Sequence, residues 1–281
     1  MASRIQRIPW TFQPPYPVGI DWTNPITRGL GFALLPSSGF KNLVTNDSPI
    51  NVFGAYTNSI GGTGMRSDVA GAAYAEFKPN GLDTAGNNLT VMSIWRAKDS
   101  QYLLADGTRI MISTCTSGNA GWSWGRSQAI AGGNNGTLTC QTYFLHGVAQ
   151  YTEDNYLIES FIDTKVCSRV AGNTVSWFRN GSRSSSDTTV GTATTGGNLV
   201  ILSQGPFASA SNEWLDRDYL QLAWCRALSD AEIASIFDNP WQIFAPRTRV
   251  LYALDGIAVL AGPGMVGIGT TTATPYSRLI F

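Results

Sequence analysis

The amino-acid sequence predicts an all-β sandwich with one short helix near its C-terminal end and an extended arm at each terminus. Three observations predict it. Short β-branched and aromatic runs alternate with Gly-, Asn- and Pro-rich turns from about residue 29 to 237, the pattern of a sandwich or barrel. One stretch, LSDAEIASIFDNPWQIFAP (228–246), spells out a helix and then stops it. The two ends, 1–22 and 246–281, are apolar and aromatic without a helical period, which leaves 23–245 as the sandwich.

The elements follow in order. Pro9, Pro14, Pro15 and Pro17 forbid helix at the start and favour polyproline geometry. Trp10, Phe12 and Tyr16 between them make this an arm that lies in a groove, its own or a neighbour's. LGFALL (30–35) is an apolar strand ended by Pro36, and AAYAEF (72–77) is a strand closed by the turn residues KPNG. LTVMSIWRA (89–97) places Val91, Ser93 and Trp95 on one face and Met92, Ile94 and Arg96 on the other. RIMIST (109–114), the alternating YLIESFID (156–163), NLVILS (198–203) and YLQLAW (219–224) read as further strands. TVSWFRNGSRSS (174–185) is a hairpin about Asn180-Gly181, the strongest short hairpin signal. In the helix, Ser229 and Glu232 form a capping box, and Leu228 and Ile233 a hydrophobic staple. Ile233, Ile236 and Phe237 share one face, and Asp238-Asn239-Pro240 ends the run. Such a helix is a two-turn plug that docks on a sheet, with Trp241 and Phe244 continuing the contact.

The composition narrows function. The chain has 281 residues, 43% of them hydrophobic, enough for one sizeable core. Nineteen basic residues balance nineteen acidic ones, which excludes the basic field of a nucleic-acid binder. Charged residues are 14% of the chain, below the usual quarter or so, as suits a surface covered by neighbours. The opening residues lack the apolar segment of a signal peptide. Cys115, Cys140, Cys167 and Cys225 are scattered and read as free thiols of a protein made in a cytoplasm. Val250–Gly269 is apolar, but Asp255, Pro263 and its glycines argue for an extended tail rather than a membrane helix.

Several of these segments together resemble a known family. CRALSDAEIASIFDNPWQIF is similar to the end of laminin-G-like (concanavalin A-like) domains, where a last strand runs into an N-R-A-L-S-x-x-E-I helix; Cys225 stands in place of that Asn. NPITRGLGFALLPSSGF resembles the family's opening strand. AAYAEFKPNG resembles its L-x-F-D-G strand, with Lys78 for Asp. LTVMSIWRA is similar to its F-T-I-S-x-W strand, and VSWFRNGSR to its L-Y-V-N-G hairpin. The likeness covers roughly residues 25–245 and implies a concanavalin A-like (laminin-G-like) jelly-roll β-sandwich. The ending DNPWQIFAP resembles the form of this domain carried by tailed-phage and prophage proteins, which implies a virion component.

Motifs that suggest chemistry are weak. GWSWG (121–125) matches the G-x-S-x-G elbow, but no helix follows, and a Ser123 triad would need the single His, His146. Packed Trp122 and Trp124 beside a turn or strand are the plainer reading. GPGMVG (262–267) matches G-x-G-x-x-G without the βαβ unit or distal acid a dinucleotide needs. The Glu-x-Asp-x-Glu of glycosidases similar to this sandwich class is missing; Asp216 with Asp218, and Glu159 with Asp163, come nearest. No cofactor is expected. Laminin-G-like domains often hold Ca²⁺ at the sandwich rim, and Asp83, Asn87 and Asn88 in GLDTAGNN (81–88) offer the hard oxygen ligands that ion prefers, although any turn uses the same residues. For a glycan, the candidate stacking residues are Trp122, Trp124 and Tyr143.

The arms carry the assembly reading. Trp10, Phe12, Pro14, Pro15 and Tyr16 at one end, and Val250, Leu251, Tyr252, Ile257, Val259, Leu260, Met265, Ile268, Tyr276 and Phe281 at the other, are sticky and β-prone. Left free they would be an aggregation hazard; added to a neighbour they would be an interface. The expectation is a non-enzymatic phage virion protein (capsid decoration, head fibre or tail-associated) made in the bacterial cytoplasm. Its partners would be copies of itself, other virion proteins and host surface polysaccharide, with no nucleic acid and no membrane. A glycan-binding adhesion module without a structural role is the alternative, and a polysaccharide hydrolase a remote one.

Overall fold

A computed structural model describes residues 14, 18–53, 74–96, 109–114, 116, 120–129, 139–146, 149–152, 156–157, 163–190, 195–201, 217–246, 259–262 and 265–268. Its strands are β1 (Val18–Ile20), β2 (Leu30–Leu34), β3 (Asn51–Phe53), β4 (Tyr74–Phe77), β5 (Asn88–Arg96), β6 (Arg109–Ser113), β7 (Trp122–Ala129), β8 (Thr139–His146) and β9 (Ala149–Thr152). They continue with β10 (Tyr156–Leu157), β11 (Asp163–Ala171), β12 (Thr174–Arg179), β13 (Ser182–Thr189), β14 (Leu199–Ile201), β15 (Arg217–Trp224), β16 (Phe244–Pro246), β17 (Val259–Gly262) and β18 (Met265–Ile268). The helix, α1, is Asp230–Asp238.

Two antiparallel sheets stack face to face. The six-stranded sheet runs β13-β12-β11-β5-β15-β2, and the eight-stranded sheet runs β10-β8-β7-β6-β14-β4-β3 with β9 also paired to β8. The central strands of the smaller sheet are buried on both faces. Phe32, Val91, Trp95, Val170, Trp177 and Ala223 point into a core shared with Phe77, Ile112, Trp122, Trp124 and Leu199 of the larger sheet. The alternate residues Ala33, Met92, Ile94, Cys167, Phe178 and Leu222 enter a second core beneath the helix. The alternation read in residues 89–97 is the device: Val91 and Trp95 serve the first core, Met92 and Ile94 the second.

The second core is closed by α1, the turn Pro240–Ile243 and the β1–β16 pair. Ile233, Ile236 and Phe237 are buried in it, as are Leu228, Trp241 and Phe244. The capping box forms: Ser229 Oγ accepts from Glu232 N at 3.3 Å, and Ser229 N donates to Glu232 Oε2 at 2.8 Å. Arg226 Nη2 donates to Glu232 Oε1 at 2.6 Å and Arg226 Nε to Arg28 O at 2.6 Å. At the other end of α1, the buried Lys165 ammonium donates to Phe237 O, where the helix dipole favours a cation. The Asn180-Gly181 turn forms with both residues at positive φ (48° and 94°), the geometry of a type I′ hairpin.

The arm boundaries shift. Val18–Ile20 lies inside the stretch assigned to the N-terminal arm, yet it pairs with Phe244–Pro246, and Val18 and Ile20 belong to the second core. Pro14 is buried as well. Trp10, Phe12, Pro15, Tyr16, Val250, Leu251, Tyr252, Ile257, Tyr276 and Phe281 lie outside the described residues. Val259, Leu260, Met265 and Ile268 lie in a small antiparallel hairpin, β17–β18. Residues 158–162 of the expected strand 156–163 are also outside the described set; its flanks belong to β10 and β11.

The Arg226 guanidinium holds Glu232 well below the ordinary carboxylate range, at about 2, with Ser229 adding hydrogen bonds. A folded-state pKa below the unfolded one gives stability that is present above about pH 5 and fades as pH falls toward 2. Glu232→Gln should therefore lower the thermal midpoint at pH 7 and flatten its decline between pH 5 and pH 2. Melting curves across that range check both.

Candidate functional site

Strand β7 decides which aromatics are available. Its alternation sends Trp122 and Trp124 into the core between the sheets, where each is 0% exposed. Their indole N–H groups are used: Trp122 Nε1 donates to Leu82 O at 2.7 Å, and Trp124 Nε1 to Ser168 Oγ at 2.8 Å. The expectation of glycan-stacking surfaces at Trp122 and Trp124 is corrected, because a ring enclosed on every side has no face for a sugar. Tyr143 sits on β8 directly opposite Gly125.

The same strand disposes of the elbow motif. Ser123 stands in mid-strand rather than at a strand-to-helix turn, is fully buried, and its Oγ lies 2.6 Å from Ser113 Oγ. His146 is in register with Trp122, whereas Ser123 is in register with Leu145. GPGMVG spans a hairpin, with Gly262 opposite Met265 and strand rather than helix following.

At one rim, the loop between β4 and β5 carries the calcium candidates. Asp83 supplies its backbone oxygen to Gly196 N at 2.8 Å. Asn87 Nδ2 donates to Gly172 O at 3.0 Å and to Asn173 Oδ1 at 3.2 Å, bracing the β11–β12 turn. Asn88 opens β5 opposite Ala171. Among the described residues no three His, Cys, Asp or Glu side chains converge as a metal site.

Of the acid pairs, Asp218 is described and buried. It accepts from Ser93 Oγ at 2.8 Å and from Gln221 Nε2, and Gln221 Nε2 also donates to Met111 O at 3.2 Å. This buried trio bridges the two sheets. Asp163 is opposite Arg96 in β11, while Asp216 and Glu159 lie outside the described residues.

A polar cluster that reaches solvent lies on the larger sheet, on the face turned away from the core. Ala75 and Phe77 of β4 point into the core, so Tyr74 and Glu76 take the other face. Glu76 lies opposite Asn51 on one side and Val200 on the other. Asn51 Nδ2 donates to Glu76 Oε2 at 2.6 Å, and Asn198 Nδ2 donates to Glu76 Oε1 at 2.6 Å. All three side chains reach solvent. The Tyr74 phenol is pushed up by burial and by the nearby Glu76 carboxylate. Sequence reasoning did not single out Glu76. The signal available was one acidic residue inside an otherwise apolar YAEF strand.

No known protein family and no curated protein matches the chain. Solved structures do. A Trypanosoma rangeli sialidase in complex with 2,3-difluorosialic acid superposes with a TM-score of 0.55 at 15% identity, over 77% of this chain and 34% of that one. The same enzyme in complex with sialic acid gives 0.54 at 13% identity, over 77% and 34%. The receptor binding domain of a botulinum neurotoxin C/D mosaic serotype gives 0.53 at 10% identity, over 75% and 51%. The fold is a concanavalin A-like jelly roll. At these identities the likeness establishes the fold, as the sequence resemblance implied, and the chain spans about a third of the sialidase and half of the toxin domain.

Trp124→Ala should destabilise the sandwich by about 3–5 kcal/mol, through loss of packed volume and an orphaned Ser168. Trp124→Phe, which keeps most of the packing, should cost far less. Urea titration of both variants checks the ordering; equal stability of Trp124→Ala and the parent chain would contradict the buried role.

Proposed function

We propose that this protein is a non-enzymatic structural component of a tailed-phage virion, anchored by its two ends and displaying a lectin-like sandwich to host surface polysaccharide. The observation that carries this is the pairing of β1 with β16. It brings the start and finish of the sandwich to one place on the helix-covered side of the smaller sheet. The polypeptide therefore enters and leaves side by side. Glu76 lies on the larger sheet, on the face turned away from the core and from the helix-covered side.

Other features support the anchor. Trp22 follows β1 and is 58% exposed; an exposed Trp is the residue type most often found as an interface hot spot. The β17–β18 hairpin carries no polar side chain in its strands, and a lone two-stranded hairpin is marginal in water without a partner surface. The low charge and the phage-like DNPWQIFAP ending point the same way. An adhesion module without structural duty is the second reading; the likeness to a toxin's receptor binding domain favours it.

Light-scattering mass of the full chain, Trp22→Ala, and a chain cut to 18–246 separates the two. The full chain should form defined oligomers or co-sediment with virion shells, Trp22→Ala should do so less, and the 18–246 chain should remain a folded monomer. A full chain that stays monomeric and ignores shells, while binding glycan, would leave the adhesion reading standing instead.

A further inference from the structure

Glu76 is unusual in its setting. The eight strands of the larger sheet take their polar side chains mainly from Ser, Thr, Asn and Gln, and Glu76 is the one acidic residue in them. Among the described residues no cation pairs with it. Two asparagines, one 25 residues before it and one 122 after it, hold its carboxylate instead, at 2.6 Å each. Ordering exposed side chains costs entropy, and an exposed hydrogen bond returns little net stability. The trio is therefore poorly explained as a stabilising feature.

Its chemistry is definite. An ionised carboxylate only accepts, so the NH₂ of each amide must face it. Each carboxylate oxygen has capacity for about one further hydrogen bond, and each asparagine keeps one N–H and one carbonyl oxygen. Donors and acceptors thus interleave along a short row on one sheet face. A hydroxyl group matches such a row, because it can donate to a carboxylate oxygen while accepting from the neighbouring amide. Two adjacent hydroxyls match it twice. A cation matches poorly, since two amide donors already crowd the carboxylate. An anionic sugar matches worse, because Glu76 repels it.

We propose that Asn51, Glu76 and Asn198 form a binding subsite for a pair of adjacent hydroxyls on a neutral saccharide. This rests on the display reading above and names the ligand class of its exposed face. Ligands carrying sialic or uronic acid are disfavoured here unless they also offer an uncharged sugar residue. The rigid acceptor pair provides selectivity, since a site built to hydrogen-bond a hydroxyl rejects the deoxy analogue strongly.

The experiment is a glycan array probed with the labelled full chain, followed by titration calorimetry on the strongest neutral oligosaccharide. Glu76→Gln swaps one acceptor oxygen for a donor at nearly constant shape, and should weaken binding about tenfold or more. Asn198→Ala, at an exposed position before β14, should weaken it several-fold with an unchanged melting temperature. It keeps the test decisive should Glu76→Gln fold poorly. A 4-deoxy or 3-deoxy version of the ligand should lose most of the affinity. Unchanged affinity in folded Glu76→Gln and Asn198→Ala, or array signals confined to acidic glycans, would overturn the assignment. So would the absence of any saccharide binding. Assembly of that same preparation on virion shells would then show that the anchor reading survives without the subsite.

Discussion

The structure depends on one constraint: the central strands of the six-stranded sheet bury apolar side chains on both faces. A sheet with one wet face can end a domain, but this one cannot, because Met92, Ile94, Cys167, Phe178 and Leu222 would otherwise meet water. The larger sheet covers one face. The other is left to whatever the chain can supply, and it supplies α1, the turn Pro240–Ile243 and the β1–β16 pair. A chain rich in turns and short strands therefore needs a single compact helix late in its sequence. The helix is a lid, and its capping box, the Lys165 contact at its far end and the Arg226–Glu232 pair fix where the lid sits.

Charge is spent on that lid. Arg169 pairs with Asp230 at the start of α1, Arg183 lies 3.6 Å from Asp230 and also pairs with Asp187, and Arg226 pairs with Glu232. The Asp230 pairs join the helix to β11 and β13, and Arg226 ties it to the segment that follows β15. The first core relies on tryptophan instead, whose N–H groups reach Leu82 O and Ser168 across the sandwich. Close backbone approach at the rim does the rest: a side chain at Gly121 or Gly196 would come within 2.6 Å and 2.5 Å of Thr114 O. The rim loops are thus stacked on one another, which limits how far they can open around a ligand.

Much of this was legible in the residues. The alternation of 89–97, the Asn-Gly hairpin and the capped helix are local signals, and each formed as read. What was not legible depends on neighbours. TKVCSRVA (164–171) looks too polar for a central strand, yet it pairs on both sides. Its Lys165 is buried because a helix carbonyl meets its ammonium, and its Ser168 because an indole does. Trp122 and Trp124, set among glycines, read as loop aromatics as easily as core ones; only the strand partner β8 and the facing sheet decide between them. Glu76 was out of reach of the sequence. Its partners come from β3 and the approach to β14, and the order β14-β4-β3 is a crossover that no local pattern announces.

The two faces then differ for a physical reason rather than by accident of decoration. The lid side must be sealed, so it gathers the apolar side chains, the ion pairs and both ends of the sandwich. On the far side of the larger sheet Tyr74, Ser113 and Ser123 are buried, whereas Asn51, Glu76 and Asn198 reach solvent and have no core to seal. A carboxylate placed there by chance would be solvated and mobile. Glu76 is instead fixed by amides from both flanking segments, in a sheet whose strands carry no other acid. Rigidity of that kind does not strengthen the lid, fill the core or seal a rim. It costs order at the surface, and that cost is offset when a ligand uses the order.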